Sequence, residues 1–96
     1  MRLLFIIYET GVDARVTEIL DRLRVPGYTR FTGATGNGRH GRREGSPVWP
    51  GLNSLLMICV PEETVPEILE GLERLEADRS GRLAVKVFSV PVEPYC

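Results

Sequence analysis

The sequence predicts an α+β fold, a single ferredoxin-like βαββαβ sandwich, and three observations predict it. Two runs, Leu3 to Tyr8 and Leu55 to Val60, are short, continuous and apolar, the pattern of strands buried on both faces in the middle of a sheet. Two segments between strands repeat apolar residues at the helical period. Two further stretches, Tyr28 to Thr32 and Leu83 to Val90, mix polar with apolar residues, as edge strands with a wetter face do. A split βαβ sheet places its first and third strands in the centre, so connection order and hydropathy pattern agree.

The elements follow in order. Leu3-Leu4-Phe5-Ile6-Ile7-Tyr8 is rich in β-branched and aromatic residues and reads as the first, central strand. Thr10 and Asp13, three apart, are placed to share the free amides of a helix start, and Val12, Val16, Ile19, Leu20 and Leu23 then line one helical face. Pro26-Gly27 is expected to end that helix before the second strand. After the third strand, Thr64-Val65-Pro66-Glu67 has the form of a capping box with proline in the first turn. Val65, Ile68, Leu69, Leu72 and Leu75 are expected to form the apolar face of that second helix, and Asp78-Arg79-Ser80-Gly81 the turn after it. Both helices must cover one face of the sheet. The other face would carry half the side chains of two very apolar strands, which calls for other subunits.

Residues 33–51 are rich in glycine and contain Pro47 and Pro50 with Arg39, Arg42 and Arg43, a composition that sustains neither helix nor strand. A long loop is expected there, and a loop of that length in a small domain is usually functional or disordered. Gly36-Asn37-Gly38-Arg39-His40-Gly41 satisfies G-x-G-x-x-G, but Arg42-Arg43-Glu44-Gly45-Ser46-Pro47 opens no helix to hold a pyrophosphate. What survives is a weaker statement: exposed glycine amides with Arg39 beside them can hold an anion without helix or metal.

Composition bounds the rest. The chain has 96 residues, one domain's worth, with 12 basic and 13 acidic side chains for a formal net charge of −1. That balance argues against a protein held to nucleic acid or lipid by bulk charge. Phe5 and Tyr8 on the first strand have no aromatic counterpart on the third, so base stacking across a central pair is not expected. His40 is the single histidine, and Cys59 and Cys96 are the two cysteines; these supply neither a metal set nor a nucleophile with its base. No enzyme, cofactor or metal site is expected, and the cysteine usage fits a reducing cytoplasm. No run approaches the roughly 18 apolar residues of a membrane span, and no leader is recognisable, so a soluble, unprocessed protein is expected. The glutamates of the second helix, Glu62 to Glu76, read as a solvated face.

Taken together, the residues resemble the PII signal-transduction superfamily. The likeness lies in the element order, in Pro26-Gly27-Tyr28-Thr29 entering the second strand, and in Gly36-Asn37-Gly38-Arg39 where PII proteins carry Gly-Phe-Gly-Arg before their T-loop. Ser80-Gly81-Arg82 stands where the family has its B-loop, and Lys86 to Val90 looks like its final strand. The resemblance implies a cytoplasmic homotrimer with inward-facing sheets, an adenine nucleotide (AMP, ADP or ATP) or other small effector in intersubunit clefts, and signalling to a partner, such as a membrane transporter or metabolic enzyme. On matched positions, Thr29, Gly36, Asn37, Gly38, Arg39, Gly81 and Arg82 would bind the ligand. Arg42, Arg43 and Trp49 would meet the partner from a flexible loop at about 37–52 of a single PII-like domain, 1–96. Three departures mark a divergent member. The B-loop Gly-Asp-Gly-Lys is Gly81-Arg82-Leu83-Ala84, the modified Tyr-Arg-Gly is replaced by Trp49-Pro50-Gly51, and C-terminal arginines do not precede Cys96. The alternative is an ACT-like or CutA-like trimeric module for a small ligand or metal. Both share the strand order, but an ACT-like module has a short turn where this chain has its loop, and a CutA-like one would need metal ligands beyond His40 and Cys96.

Overall fold

The computed structural model describes residues 1–35, 53–79 and 84–95. In them the chain runs β1 (Arg2–Glu9), α1 (Asp13–Arg22), β2 (Thr29–Ala34), β3 (Asn53–Val60), α2 (Val65–Asp78) and β4 (Lys86–Pro91). The strands form one antiparallel sheet in the order β2-β3-β1-β4, so the two apolar runs are central and the two mixed ones are edges. The edge strands are displaced from their expected bounds, to Thr29–Ala34 and Lys86–Pro91.

Alternation sorts the sheet into two faces. Leu4, Ile6 and Tyr8 of β1 and Ser54, Leu56, Ile58 and Val60 of β3 are buried on one face. They pack with Val12, Val16, Leu20, Ile68, Leu72 and Leu75 in a single core, so both helices lie on that side, as expected. The continuous apolar runs suggest strands covered on both faces, but among the described residues only the helix side is covered. Cys59, at an odd position of β3, is half-buried on the other side.

Helix boundaries differ in physically instructive ways. Neither helix start uses its predicted side-chain cap: each helix is entered from a 3₁₀ turn, Thr10–Val12 before α1 and Glu62–Thr64 before α2. Thr64 is already in a helical backbone conformation, so its hydroxyl cannot cap; Pro66 does sit in the first turn. Thr10 Oγ1 instead lies 3.1 Å from Ser54 Oγ, where it partners the buried serine of β3. Leu69 is exposed, because it stands about 100° around the helix from Ile68 and beyond the edge of the buried stripe. Between the helices, a Cβ on Gly71 would come within 2.7 Å of Ile19 Cγ2, so glycine there permits the close crossing of α1 and α2.

The end of α1 is set before Pro26-Gly27. Val25 N–H donates to Leu20 O at 3.1 Å and Arg24 N–H to Asp21 O at 3.0 Å, the two bonds of a Schellman motif. Its C′ position, Arg24, has φ of 54°, the left-handed region where a side chain costs about 1–2 kcal/mol. Glycine relieves that cost but adds freedom to the unfolded chain. Arg24→Gly is therefore expected to raise stability by about 0.5–1 kcal/mol in urea unfolding; a loss of stability would mean that the arginine side chain makes compensating contacts.

Candidate functional site

Two features of the fold could serve recognition, one on each side of the sheet. On the face away from the helices, cross-strand pairing aligns side chains into rows. Val90, Leu3 and Cys59 form one, Phe88, Phe5, Met57 and Thr29 a second, and Lys86, Ile7, Leu55 and Phe31 a third. Phe31 and Phe88 are half exposed, and the central-strand members are intermediate. Thr29 thus lies at the β2 edge of an apolar floor, which places a hydroxyl beside a surface suited to another subunit or to the flat face of a ligand. β2 is bent just beyond it: the register with β3 shifts between Phe31 and Ala34, and Gly33 takes φ of 73°. This is a glycine β-bulge, and it re-aims the strand as it leaves the sheet.

On the helix face, β2 carries a charged group inward. Arg30 lies opposite Leu56 in the ladder and turns toward α1. Its Nε donates to Tyr8 Oη at 3.0 Å, and its Nη2 donates to Thr17 Oγ1 at 2.5 Å and to the Asp13 carbonyl at 3.4 Å. Asp13 Oδ1 is 3.3 Å from Nε as an ion pair, and the Tyr28 ring centroid is 5.2 Å from the guanidinium carbon. Asp13 Oδ1 is buried and has no well-formed hydrogen bond among the described residues, the Arg30 Nε–H beside it being aimed at Tyr8.

Tyr8 is almost wholly buried, at 1% exposure. Burial, with further help from the neighbouring Asp13 carboxylate and partly offset by Arg30, pushes its phenol from 10.0 up to about 12. The folded state keeps the phenol proton to higher pH than the unfolded chain. The associated stability is therefore complete below pH 10 and is lost as pH rises from 10 to about 12. The amount is about 2–3 kcal/mol. Unfolding of the wild type and Tyr8→Phe across this range should show the wild type losing that much relative to the variant. A constant difference would mean that Tyr8 ionises alike in both states.

Of the residues expected at the ligand site, Thr29 is described and its position is given above. Gly36, Asn37, Gly38, Arg39, Gly81 and Arg82 lie outside the described residues, as do Arg42, Arg43, Trp49, His40 and Cys96. Among the described residues no group of three or more His, Cys, Asp or Glu is arranged to hold a metal ion. No helix among them is long and apolar enough to cross a membrane. Arg30, with Tyr8 and Asp13, was not anticipated as a cluster. The available signal was its parity, since an arginine between Thr29 and Phe31 must face opposite to Phe31.

Comparison with known proteins decides the family. The family profile described as Nitrogen regulatory protein P-II matches residues 1–95. The chain belongs to the P-II family. Solved structures agree with this. A structure of CPII, a nitrogen regulatory PII-like protein from Thiomonas intermedia K12, bound to ADP, AMP and bicarbonate, superposes with a TM-score of 0.70 at 31% identity, covering 95% of this chain and 86% of that one. CPII bound to ADP and bicarbonate gives a TM-score of 0.69 at 32% identity, with 95% and 86% coverage. A PII-like signaling protein from Thermus thermophilus gives 0.59 at 29% identity, covering 93% and 83%. A search of curated proteins gave no match. The P-II assignment accounts for the strand order and the pair of helices on one face, and it places the chain among regulatory proteins.

Proposed function

We propose that this P-II family member is a small-molecule-sensing regulator, a single domain over 1–96. It assembles as a homotrimer in the cytoplasm, binds an adenine nucleotide between subunits, and signals to a partner protein through the loop at about 37–52. The observation that carries the reading is the open sheet face. Leu3, Phe5, Ile7, Leu55, Met57, Phe31, Phe88 and Val90 form one continuous apolar surface, and a lone chain would leave it in water. Copies of the same chain packing sheet to sheet would cover it, and a cleft between copies would then border Thr29 at its β2 edge. The ADP- and AMP-bound states of CPII support an adenine nucleotide as the occupant of such a cleft.

The protein acts by binding, not by turnover. A glycine-rich loop has many conformations of similar energy, and a ligand touching its base selects among them by its differential contacts. The family's B-loop lysine is replaced by Ala84, and Arg82, two positions before it, is assigned the phosphate grip. Arg82→Ala is expected to weaken ADP binding by about 1–3 kcal/mol, the range for a hydrogen bond to a charged group, with the assembly intact. Unchanged affinity in calorimetry would move that grip to another residue.

A further inference from the structure

We propose that Arg30 is a positioning residue: it latches the edge strand β2 to the helix layer and thereby fixes where Thr29 stands on the opposite face. The inference rests on the reading that Thr29 borders the nucleotide. Its basis is how little else among the described residues attaches β2 to the body of the protein on that side. Along β2 only Arg30 and Ala34 are even partly buried, while Thr29, Phe31, Thr32 and Gly33 are exposed. β2 contributes no residue to the buried apolar core. Its ladder to β3 is interrupted by the bulge after Phe31. The attachment to the helix side is therefore polar, made by one guanidinium to Tyr8 on β1 and to Asp13 and Thr17 on α1.

That arrangement uses the geometry of arginine. The planar fork reaches three partners on two elements at once, which an ammonium on a flexible stem does not reproduce. Thr29 is the next residue along an extended strand, so a shift of Arg30 displaces it as well. Edge strands with few apolar contacts open locally at lower free energy than central ones. Without the latch, β2 should open while β1 and β3 stay closed.

The test is amide hydrogen exchange on the assembled protein, comparing wild type with Arg30→Gln, Arg30→Lys and Tyr8→Phe, together with ADP titration of each by calorimetry. Arg30→Gln is expected to speed exchange of the amides paired between β2 and β3 by about tenfold or more, leaving the amides paired between β1 and β3 unchanged. Tyr8→Phe should do so to a smaller degree, and Arg30→Lys should restore little. ADP affinity should fall in the same order. Equal acceleration in all strands, or none in β2, would overturn the latch and make Arg30 an ordinary contributor to global stability. Tyr8→Phe alone decides this point if Arg30→Gln does not fold. A loosened β2 with wild-type ADP affinity would overturn the positioning role. A wild type that binds no ADP would overturn it too, and would be recognised as a failure of the nucleotide reading because the exchange result stands independently.

Discussion

Phe5→Glu is expected to convert the proposed trimer into monomers that remain folded. Phe5 lies in the row Phe88, Phe5, Met57 and Thr29, on the side of the sheet that the helices leave open. In an isolated chain a carboxylate there faces water and costs little, as surface substitutions generally do. In an assembly closed through that face it would be buried without a partner once per subunit. The effective penalty for burying an ion is several kcal/mol each time, more than a small interface can absorb. Mass by light scattering, with circular dichroism on the same sample, separates the outcomes. An unchanged assembled mass would place the subunit interface elsewhere, and loss of secondary structure would make Phe5 a folding residue.

Leu56→Ala, nearby on β3 but facing the other way, is expected to do the opposite. Leu56 has 0% exposure and packs under the helix layer with Leu4, Ile6 and Ile58. Truncating a buried leucine removes its transfer free energy and leaves a cavity, together about 2–5 kcal/mol. For a small domain whose total stability is of order 5–15 kcal/mol, that is a large fraction. The urea midpoint should fall sharply, and at low denaturant the assembly state should be retained by whatever fraction stays folded. A shift below about 0.5 kcal/mol, the scale of surface changes, would contradict the assignment of Leu56 to the covered face.

The contrast between these two positions shows what was legible in the sequence. The central strands announced themselves as continuous apolar runs because both of their faces are apolar, and the helices by period; together these suffice for element order and for the central and edge positions. Which face is covered by the chain itself is a tertiary fact, and a run such as Leu55 to Val60 reads the same whichever face that is. The misplaced caps have a local cause. Thr10 and Thr64 carry the right chemistry, but 3₁₀ turns lead into both helices, and a residue already in a helical conformation cannot cap. Pro26-Gly27 is the usual punctuation for the end of a helix, whereas in α1 Arg24 takes the left-handed position that glycine normally fills.

At the candidate site, Thr29 was anticipated from the likeness of Pro26-Gly27-Tyr28-Thr29 to the family, and the structure puts it at the edge of the open face. Arg30 is not legible as part of a site, because a charge in an edge strand is ordinarily a solvated group. That it turns inward depends on Tyr8, Asp13 and Thr17, which lie 22, 17 and 13 residues away in the chain. No local pattern joins them. The cluster becomes visible only when β1, α1 and β2 are packed.

The central claim, an assembly that senses an adenine nucleotide between subunits, is tested most directly by one measurement. Titration calorimetry of the purified protein against AMP, ADP and ATP, with mass by light scattering on the same sample, reads both halves together. A trimer that binds one nucleotide per subunit is the predicted result. A monomer, or a trimer that takes up none of the three nucleotides, would contradict it.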